Sequence, residues 1–380
     1  MLLVLNAGSS SIKFALYGLP LSGRPSHEGQ IAGIDREPRF SVDGKPQAIP
    51  DAIADHGAAI ALLLEWLQSE GHAGKLAGVG HRVVHGGTQF THPVRLDAKA
   101  IEALAALNPL APHHQPHNIA AIRAVAARLP KLPQIACFDT AFHATMPEEA
   151  RRLPLPAEYE ARGIRRYGFH GLSYESIVAR LPELMGKVPG RLIVAHLGNG
   201  ASITAIKDGR SIATSMGFST LDGVIMATRS GGIDPGVLLH LMREGRTLAE
   251  IEDLLYNRAG LLGLSGLSAD MKTLLDSSAA SAAMAVSLYC YRVNREIGSL
   301  VAALGGLDAL VFTGGVGENA GPVRANVCKA AGWLGIALDE KANAAGGPRL
   351  TLANSPISAW AIPADEQGVI ARHAARLLGL

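Results

Sequence analysis

The sequence predicts an α/β fold in two domains, and three observations carry that expectation. Its 380 residues fit two domains or three and are enough to bury a core in each. Short apolar runs of strand character alternate with Ala-rich stretches of helical period. A strand, a glycine turn and a second strand occur at residues 2–8 with Ser-Ile after them, and again at residues 192–198 with Ser-Ile after them. Internal duplication explains the recurrence; two unrelated hairpins would look the same over so few residues.

Taken in order, residues 2–6 and 12–17 read as buried strands joined by a polar turn at 7–11. Residues 58–70 have helical period, and 79–85 are strand-like. Residues 98–107 read as a helix that stops at the Pro-containing segment 108–118, expected as a loop. Residues 119–128 are helical, and Gln134–Phe138 is a short strand. The Pro- and charge-rich stretch 145–156 marks a boundary. Beyond it Arg191–Leu197 opens a new run of strands. Residues 279–304 form a long helix, Ala309–Thr313 a strand running into glycine, and Glu366–Leu378 a closing helix.

Composition narrows the class. With 43 glycines and only 5% aromatic residues, the chain fits an Ala/Gly-rich α/β protein and not a disordered one. A net charge of +2 gives no basis for a nucleic-acid partner. Cys137, Cys290 and Cys328 lie far apart with no CxxC, so a disulfide framework and a zinc knuckle are both unexpected. A reducing cytoplasm follows. Residues 1–5 are apolar but lack the basic start of a signal peptide. The longest apolar stretches fall short of the ~18 residues of a bilayer span, so no membrane partner is expected.

Several segments carry chemistry. Asn6-Ala7-Gly8-Ser9-Ser10-Ser11-Ile12-Lys13 places small residues, three hydroxyls and a cation on one hairpin, the parts of a phosphate loop. It lacks the Walker pattern and would also serve as a plain turn. His196-Leu197-Gly198-Asn199-Gly200-Ala201-Ser202 is a second such loop, although Asn-Gly alone would mean only a hairpin turn. Thr313-Gly314-Gly315-Val316-Gly317-Glu318-Asn319 follows a strand; its glycines let a nucleotide approach, as those of any strand-to-helix turn would. Arg82 at a strand end and Arg229 in a Gly-rich loop suit bidentate anion recognition, and each would equally serve a structural ion pair. Asp139 ends a strand, where ligands of open sheets sit, or it caps a helix. His113, His114 and His117 share the Pro-containing segment. No Cys or Glu lies near them, so an anion is a better expected neighbour than zinc.

Together these segments resemble the acetate kinase family of acetate, propionate and butyrate kinases, nearly end to end. Tyr167-Gly168-Phe169-His170-Gly171 and Thr228-Arg229-Ser230-Gly231 with Ile233-Asp234-Pro235 are the most specific. The resemblance implies two similar actin-like, sugar-kinase-like ATPase domains facing an ATP cleft. Residues 1–145 with 368–380 would form the first, and 146–367 the second, with most nucleotide contacts. It implies a cytoplasmic homodimer that transfers a phosphoryl group reversibly from ATP to acetate, giving acetyl phosphate and ADP. Propionate or another short carboxylate, hydroxy acids included, is the alternative substrate.

Residue by residue, the resemblance puts Arg82 on the carboxylate and the moving phosphoryl group, and Arg229 and His170 on the transition state. Asp139 takes the acid/base position, and Asn6 and Glu366 organise Mg2+ or Mn2+. Lys13, His196, Leu197, Gly198, Asn199, Gly200, Asp270, Met271, Lys272, Gly315, Val316, Gly317, Glu318 and Asn319 fall in ATP-contacting segments. Arg82, Val84, His113, Phe169 and Thr220 line the acyl site. A carboxylate substrate of pKa near ~4–5 is already ionised and needs no base, so Asp139 is expected to hold the metal, water or Arg82.

Three departures stand out. Lys272 replaces a frequent arginine, His113 a usual leucine and Thr220 a usual proline. The last two bring hydrogen-bonding groups to an apolar site: either they turn away and acetate specificity survives, or the site takes a more polar acid. Two other classes stay open. A sugar or polyol kinase would need a base for its hydroxyl. An actin-like chaperone would not need Arg82, His170 and Arg229 together.

Overall fold

The computed structural model describes residues 1–34, 36–49 and 53–380, in two compact units. One is Met1–Phe142 with Asp365–Leu380; the other is His143–Ala364.

The first unit is built on strands β1 (Leu2–Ala7), β2 (Ser11–Tyr17), β3 (His27–Ala32), β4 (Arg39–Val42), β5 (Lys45–Gln47), β6 (Gly78–Val83), β7 (Val94–Arg95) and β8 (Gln134–Phe138). They form one sheet in the order β5-β4-β3-β2-β1-β6-β8-β7. Strands β1, β6 and β8 run parallel and are buried almost throughout, which is why they read as continuous apolar runs. The helices His56–Ser69 and Gln115–Arg128 supply Ile60, Leu63, Ala121 and Val125 to the core on one face. The closing helix Glu366–Leu378 packs on β6, β1 and β8. Glycines in β6 allow that approach: a Cβ at Gly80 would lie 2.5 Å from Ile370 Cγ2.

The second unit is built on β9 (Arg191–Leu197), β10 (Ala201–Lys207), β11 (Arg210–Thr214), β12 (Ala309–Thr313) and β13 (Ser358–Ala361), in the order β11-β10-β9-β12-β13. Its long helix Ala280–Leu304 packs on β9, β10 and β11 through residues such as Ala285, Tyr289 and Val293. The order of β3-β2-β1-β6-β8 is the same as that of β11-β10-β9-β12-β13. In both runs two antiparallel pairings are followed by two parallel ones. Unrelated hairpins would not share a five-strand order, so the recurrence in sequence is duplication.

Some boundaries differ from expectation. The segment 108–118 is not all loop: after a short 3-10 turn at Asn108–Leu110, a helix starts at Gln115. Pro116 lies in its first turn, where the missing N–H costs nothing and φ is already helical. The closing helix, by contrast, runs over Glu366–Leu378 as expected, and Asp365 is its N-cap, accepting from the Gly368 N–H at 2.9 Å. Among the described residues no helix is long and apolar enough to cross a membrane.

Candidate active site

In the first unit the register of the sheet sets the site. Lys13 on β2 stands opposite Asn6 on β1, so both side chains share a face. Arg82 reaches the same place from β6, its Nη1 donating to Asn6 Oδ1 at 3.4 Å. Asp139 follows the end of β8, where its N–H donates to the Val83 carbonyl at 3.0 Å. Arg82 grips the Asp139 carboxylate on two sides, Nε to Oδ1 at 3.0 Å and Nη2 to Oδ2 at 2.6 Å. Asp139 therefore serves Arg82. Glu366 joins from the closing helix, with Oε2 3.9 Å from Arg82 Nη1. Burial would lower the pKa of Arg82, but the carboxylates of Asp139 and Glu366 reverse that, and the net shift is upward.

Two buried amides fix the chain beyond β6. Asn118 Oδ1 accepts from the Val84 N–H at 3.0 Å, and its Nδ2 donates to the Ala7 carbonyl at 2.7 Å. Gln115 bonds both the N–H and the carbonyl of His85. The sequence gives no sign of this role, because nothing local distinguishes these amides from surface ones. The loop at Gly8 is tied by His56, whose Nε2 meets the Gly8 carbonyl at 2.6 Å and whose ring stacks on His117. Val84 is buried, whereas His113 is exposed on its loop.

The second unit brings together another set. His170 has left-handed backbone, φ 59° and ψ 24°, at the N-cap of the helix Gly171–Met185. A residue with a Cβ holds that conformation at a cost, and such strain concentrates at functional sites. The His170 ring stacks on His196 at 4.3 Å. Its Nδ1 bonds Ser202 Oγ at 2.9 Å, and Ser202 is bonded in turn to the Tyr174 phenol. Ser173 Oγ meets His196 Nδ1 at 2.8 Å. Phe169, next to His170, is buried, and its carbonyl meets His143 Nε2 at 2.9 Å.

His170 and Arg229 converge on the second glycine loop. A Cβ at Gly200 would lie 3.2 Å from His170 Nε2 and 3.7 Å from Arg229 Nη1. The Asn199 carbonyl accepts from the Ala227 N–H at 3.1 Å, tying this loop to the one that carries Arg229. Arg229 Nη1 donates to the Thr220 carbonyl at 3.3 Å. Among the described residues no carboxylate pairs with Arg229, unlike Arg82. Burial lowers its pKa, yet a guanidinium stays charged. A partly buried cation without a counterion is a place for an anion.

The glycines of the third motif adjoin the second. Thr313 on β12 is in register with His196 on β9, and a Cβ at Gly198 would lie 3.7 Å from the Gly315 N–H nitrogen. Residues Gly314–Asn319, Val316 and Gly317 among them, form a short helix. Glu318 is committed locally: its carboxylate accepts from Thr313 Oγ1 and from the N–H groups of Gly314 and Ala364. Asp270 likewise caps the helix Met271–Asp276, accepting from Thr273 N–H at 2.8 Å and Thr273 Oγ1 at 2.9 Å. Met271 is buried there, Lys272 is exposed, and Leu197 lies buried in β9.

The donors that would hold a divalent cation are Asn6 Oδ1 and the Glu366 carboxylate, both hard oxygens and both beside Arg82. Among the described residues no group of three or more His, Cys, Asp or Glu could hold a metal. That donor set suits Mg2+ bound mainly through phosphate oxygens and water.

A family model described as the acetokinase family matches residues 1–372. An acetate kinase of Rhodopseudomonas palustris is 52% identical over 391 residues, covering 99% of this chain and 98% of that one. Among solved structures, Porphyromonas gingivalis acetate kinase has a TM-score of 0.91 at 36% identity, covering 99% of each chain. A propionate kinase of Francisella tularensis has a TM-score of 0.93 at 36% identity, covering 98% of each.

Proposed function

The chain belongs to the acetokinase family, and from that premise we propose that it transfers the γ-phosphoryl group of ATP to acetate, reversibly, giving acetyl phosphate and ADP. The observation that carries this reading is Arg229, a partly buried cation beside His170 with no carboxylate partner among the described residues. Such a pair suits the charge that spreads over the equatorial oxygens of a transferring phosphoryl group.

The carboxylate end of the reaction is assigned to the first unit. Arg82, aimed by Asp139, binds acetate through its remaining N–H groups, with Val84 beside it on the chain. Asp139 takes no proton from acetate, which is ionised at neutral pH; it keeps Arg82 in place. Lys13 adds positive charge on the same sheet face. The nucleotide is assigned to the second unit, with His196–Gly200 and Gly315–Asn319 offering backbone N–H groups and close approach. Asn6 and Glu366 would hold Mg2+ or Mn2+. When bound with ATP, the cation would neutralise phosphate charge and orient the chain. Catalysis is then positioning and electrostatics.

The substrate reading favours acetate. Acetate and propionate kinases of known structure match this fold equally well at 36% identity, so the fold does not separate them. The relatives at 45–52% identity are acetate kinases. The deciding experiment supplies ATP, Mg2+ and acetate, propionate, butyrate or glycolate, and traps acyl phosphate as its hydroxamate. Trapping with acetate above all others is expected; no acyl phosphate from any acid would overturn the assignment.

A cytoplasmic homodimer completes the proposal. All three cysteines are buried free thiols, in keeping with a reducing compartment. Val237, Leu239 and Met242 are exposed on the helix Pro235–Arg243, with Leu239 and Met242 three residues apart on one side of it, and offer apolar surface to a second copy.

A further inference from the structure

His170 and His196 stack as a pair, with ring centroids 4.3 Å apart and planes 19° from parallel. Each ring has its Nδ1 on a serine hydroxyl. His196 Nδ1 meets Ser173 Oγ at 2.8 Å, and His170 Nδ1 meets Ser202 Oγ at 2.9 Å. Both serines are fully buried. The opposite ring edges face the second glycine loop. A Cβ at Gly198 would lie 3.8 Å from His196 Nε2, and one at Gly200 would lie 3.2 Å from His170 Nε2 and 3.7 Å from Arg229 Nη1.

The serines decide which nitrogen carries the proton. A neutral imidazole has one N–H and one bare nitrogen, and the partner of one sets the state of the other. The Ser173 hydroxyl has no other partner among the described residues. Were His196 Nδ1 protonated, that buried O–H would be left without an acceptor and would bear the full cost of its desolvation. Ser173 therefore donates to Nδ1, and Nε2 holds the proton of the His196 ring.

Ser202 acts in the same way, with a second hydroxyl behind it. Tyr174 is fully buried, and burial raises its phenol above the ordinary pKa and keeps it protonated. A phenol is more acidic than an alkyl hydroxyl and is the better donor, so it donates to Ser202 Oγ. The Ser202 proton is then left for its remaining partner among the described residues, His170 Nδ1. The stacking agrees with this: two imidazolium rings 4.3 Å apart would repel, and a neutral pair does not.

We propose that Ser202 is a positioning residue for phosphoryl transfer, donating to His170 Nδ1 and so presenting a neutral Nε2–H to the reacting group beside Arg229. The inference rests on the acyl-phosphate reading above and deepens it. A neutral donor reaches the equatorial oxygens without setting a second cation against the charge of Arg229.

The test uses the full chain. Ser202→Ala removes the hydroxyl, Ser202→Thr restores one, and His170→Ala removes the ring it serves. Ser202→Ala is expected to lower kcat about tenfold and to leave the KM for ATP and for acetate within about twofold, because the donor matters most in the transition state. Ser202→Thr should recover most of that loss. In a His170→Ala background, Ser202→Ala should cost less than about twofold more, since the hydroxyl acts through the imidazole. Nitrogen NMR of the histidine rings reads the tautomer, with the His170 signals identified by their absence from His170→Ala. Nε2 should be protonated and Nδ1 bare in the wild type, and the Nδ1–H form should appear in Ser202→Ala. Wild-type kcat in Ser202→Ala, about the same tenfold loss again without His170, or a protonated Nδ1 in the wild type would each overturn the proposal. The ring signals need only the wild type, Ser202→Ala and His170→Ala, so the outcome does not depend on the folding of Ser202→Thr. Acyl-phosphate formation by the wild type is measured first, so failure of the functional reading is seen separately.

Discussion

Arg82 and Asp139 form a two-pronged ion pair, with Nη2 only 2.6 Å from Oδ2 and Nε 3.0 Å from Oδ1. The Asp139 side chain is 2% exposed and that of Arg82 21%. A buried carboxylate with both oxygens already bonded is poorly placed to accept a proton from elsewhere. The pairing leaves Arg82 with its Nη1 edge toward Asn6 and Glu366, and so determines which donors face a ligand.

Asp139→Asn separates orientation from proton transfer. An amide keeps one acceptor for Arg82 but loses the charge. Turnover should fall about 10²-fold, with the shape of the pH–rate profile unchanged. Disappearance of an acid limb in the variant would show that Asp139 acts as a base.

Arg229→Ala removes a cation with no counterion among the described residues, so no buried carboxylate is stranded by the change. Turnover should fall by a factor on the order of 10²–10⁴, and ATP affinity far less. Arg229→Lys restores charge without the planar fork and should recover only part of the loss. Near-normal turnover in the alanine variant would remove Arg229 from the chemistry.

Glu366 sits in the first turn of its helix, where a carboxylate also favours the helix dipole. If its main work is there, Glu366→Ala will weaken the helix slightly and leave the metal response alone. The position of Oε2 beside Arg82 argues for the cation, so the Mg2+ concentration needed for half-maximal rate should rise at least about tenfold. A wild-type Mg2+ titration in the variant would refute this.

Strands buried on both faces were readable end to end. Gln134–Phe138, Arg191–Leu197 and Ala309–Thr313 are apolar runs closed by glycine, proline or polar residues, so length and boundary coincide with composition. The antiparallel edge β3-β4-β5 was not, because His27–Ala32 alternates polar and small residues and Lys45–Gln47 is only three residues long. Candidate site residues clustered in motifs, such as His196–Gly200, stood out together. Asn118 and Gln115 did not, since each bonds backbone far away in sequence. Only tertiary packing gives a lone amide its partner.

Buried histidines set the acid limit of stability. Burial lowers His81, His85 and His143 from 6.5 to about 4, opposed by hydrogen bonds to Gln134 for His81 and to the Phe169 carbonyl for His143. The unfolded chain takes up these protons near pH 6.5 and the folded chain only near 4. The stability that rests on neutral imidazoles is therefore complete above about pH 6.5 and lost progressively as the pH falls toward 4. Each such proton contributes a slope of about 1.4 kcal/mol per pH unit. Denaturant unfolding at pH 7, 6 and 5 measures it; equal stabilities would mean the histidines are not held neutral.

The acyl site offers the last prediction. Thr220 replaces a usual proline and His113 a usual leucine, and a polar group facing a methyl would be left unpaired at a cost of about 1–3 kcal/mol. Thr220 is half-buried, and its carbonyl accepts from Arg229 Nη1 at 3.3 Å, which fixes its backbone beside that cation. His113 is exposed, so it carries no burial penalty. His113 then gives a hydroxy acid no buried partner that acetate lacks, and the Thr220 hydroxyl is the group to test. The wild type should prefer acetate to glycolate in kcat/KM. His113→Leu should change that ratio by less than about threefold, well below the effect of a buried hydrogen bond. The decisive combination is His113→Leu with Thr220→Val, which removes the hydroxyl and keeps the branched shape: the acetate-to-glycolate ratio should stay within about threefold of that of His113→Leu alone. A wild type that favours glycolate, together with a double variant that shifts the ratio toward acetate, would place the polar groups in the site and refute the assignment.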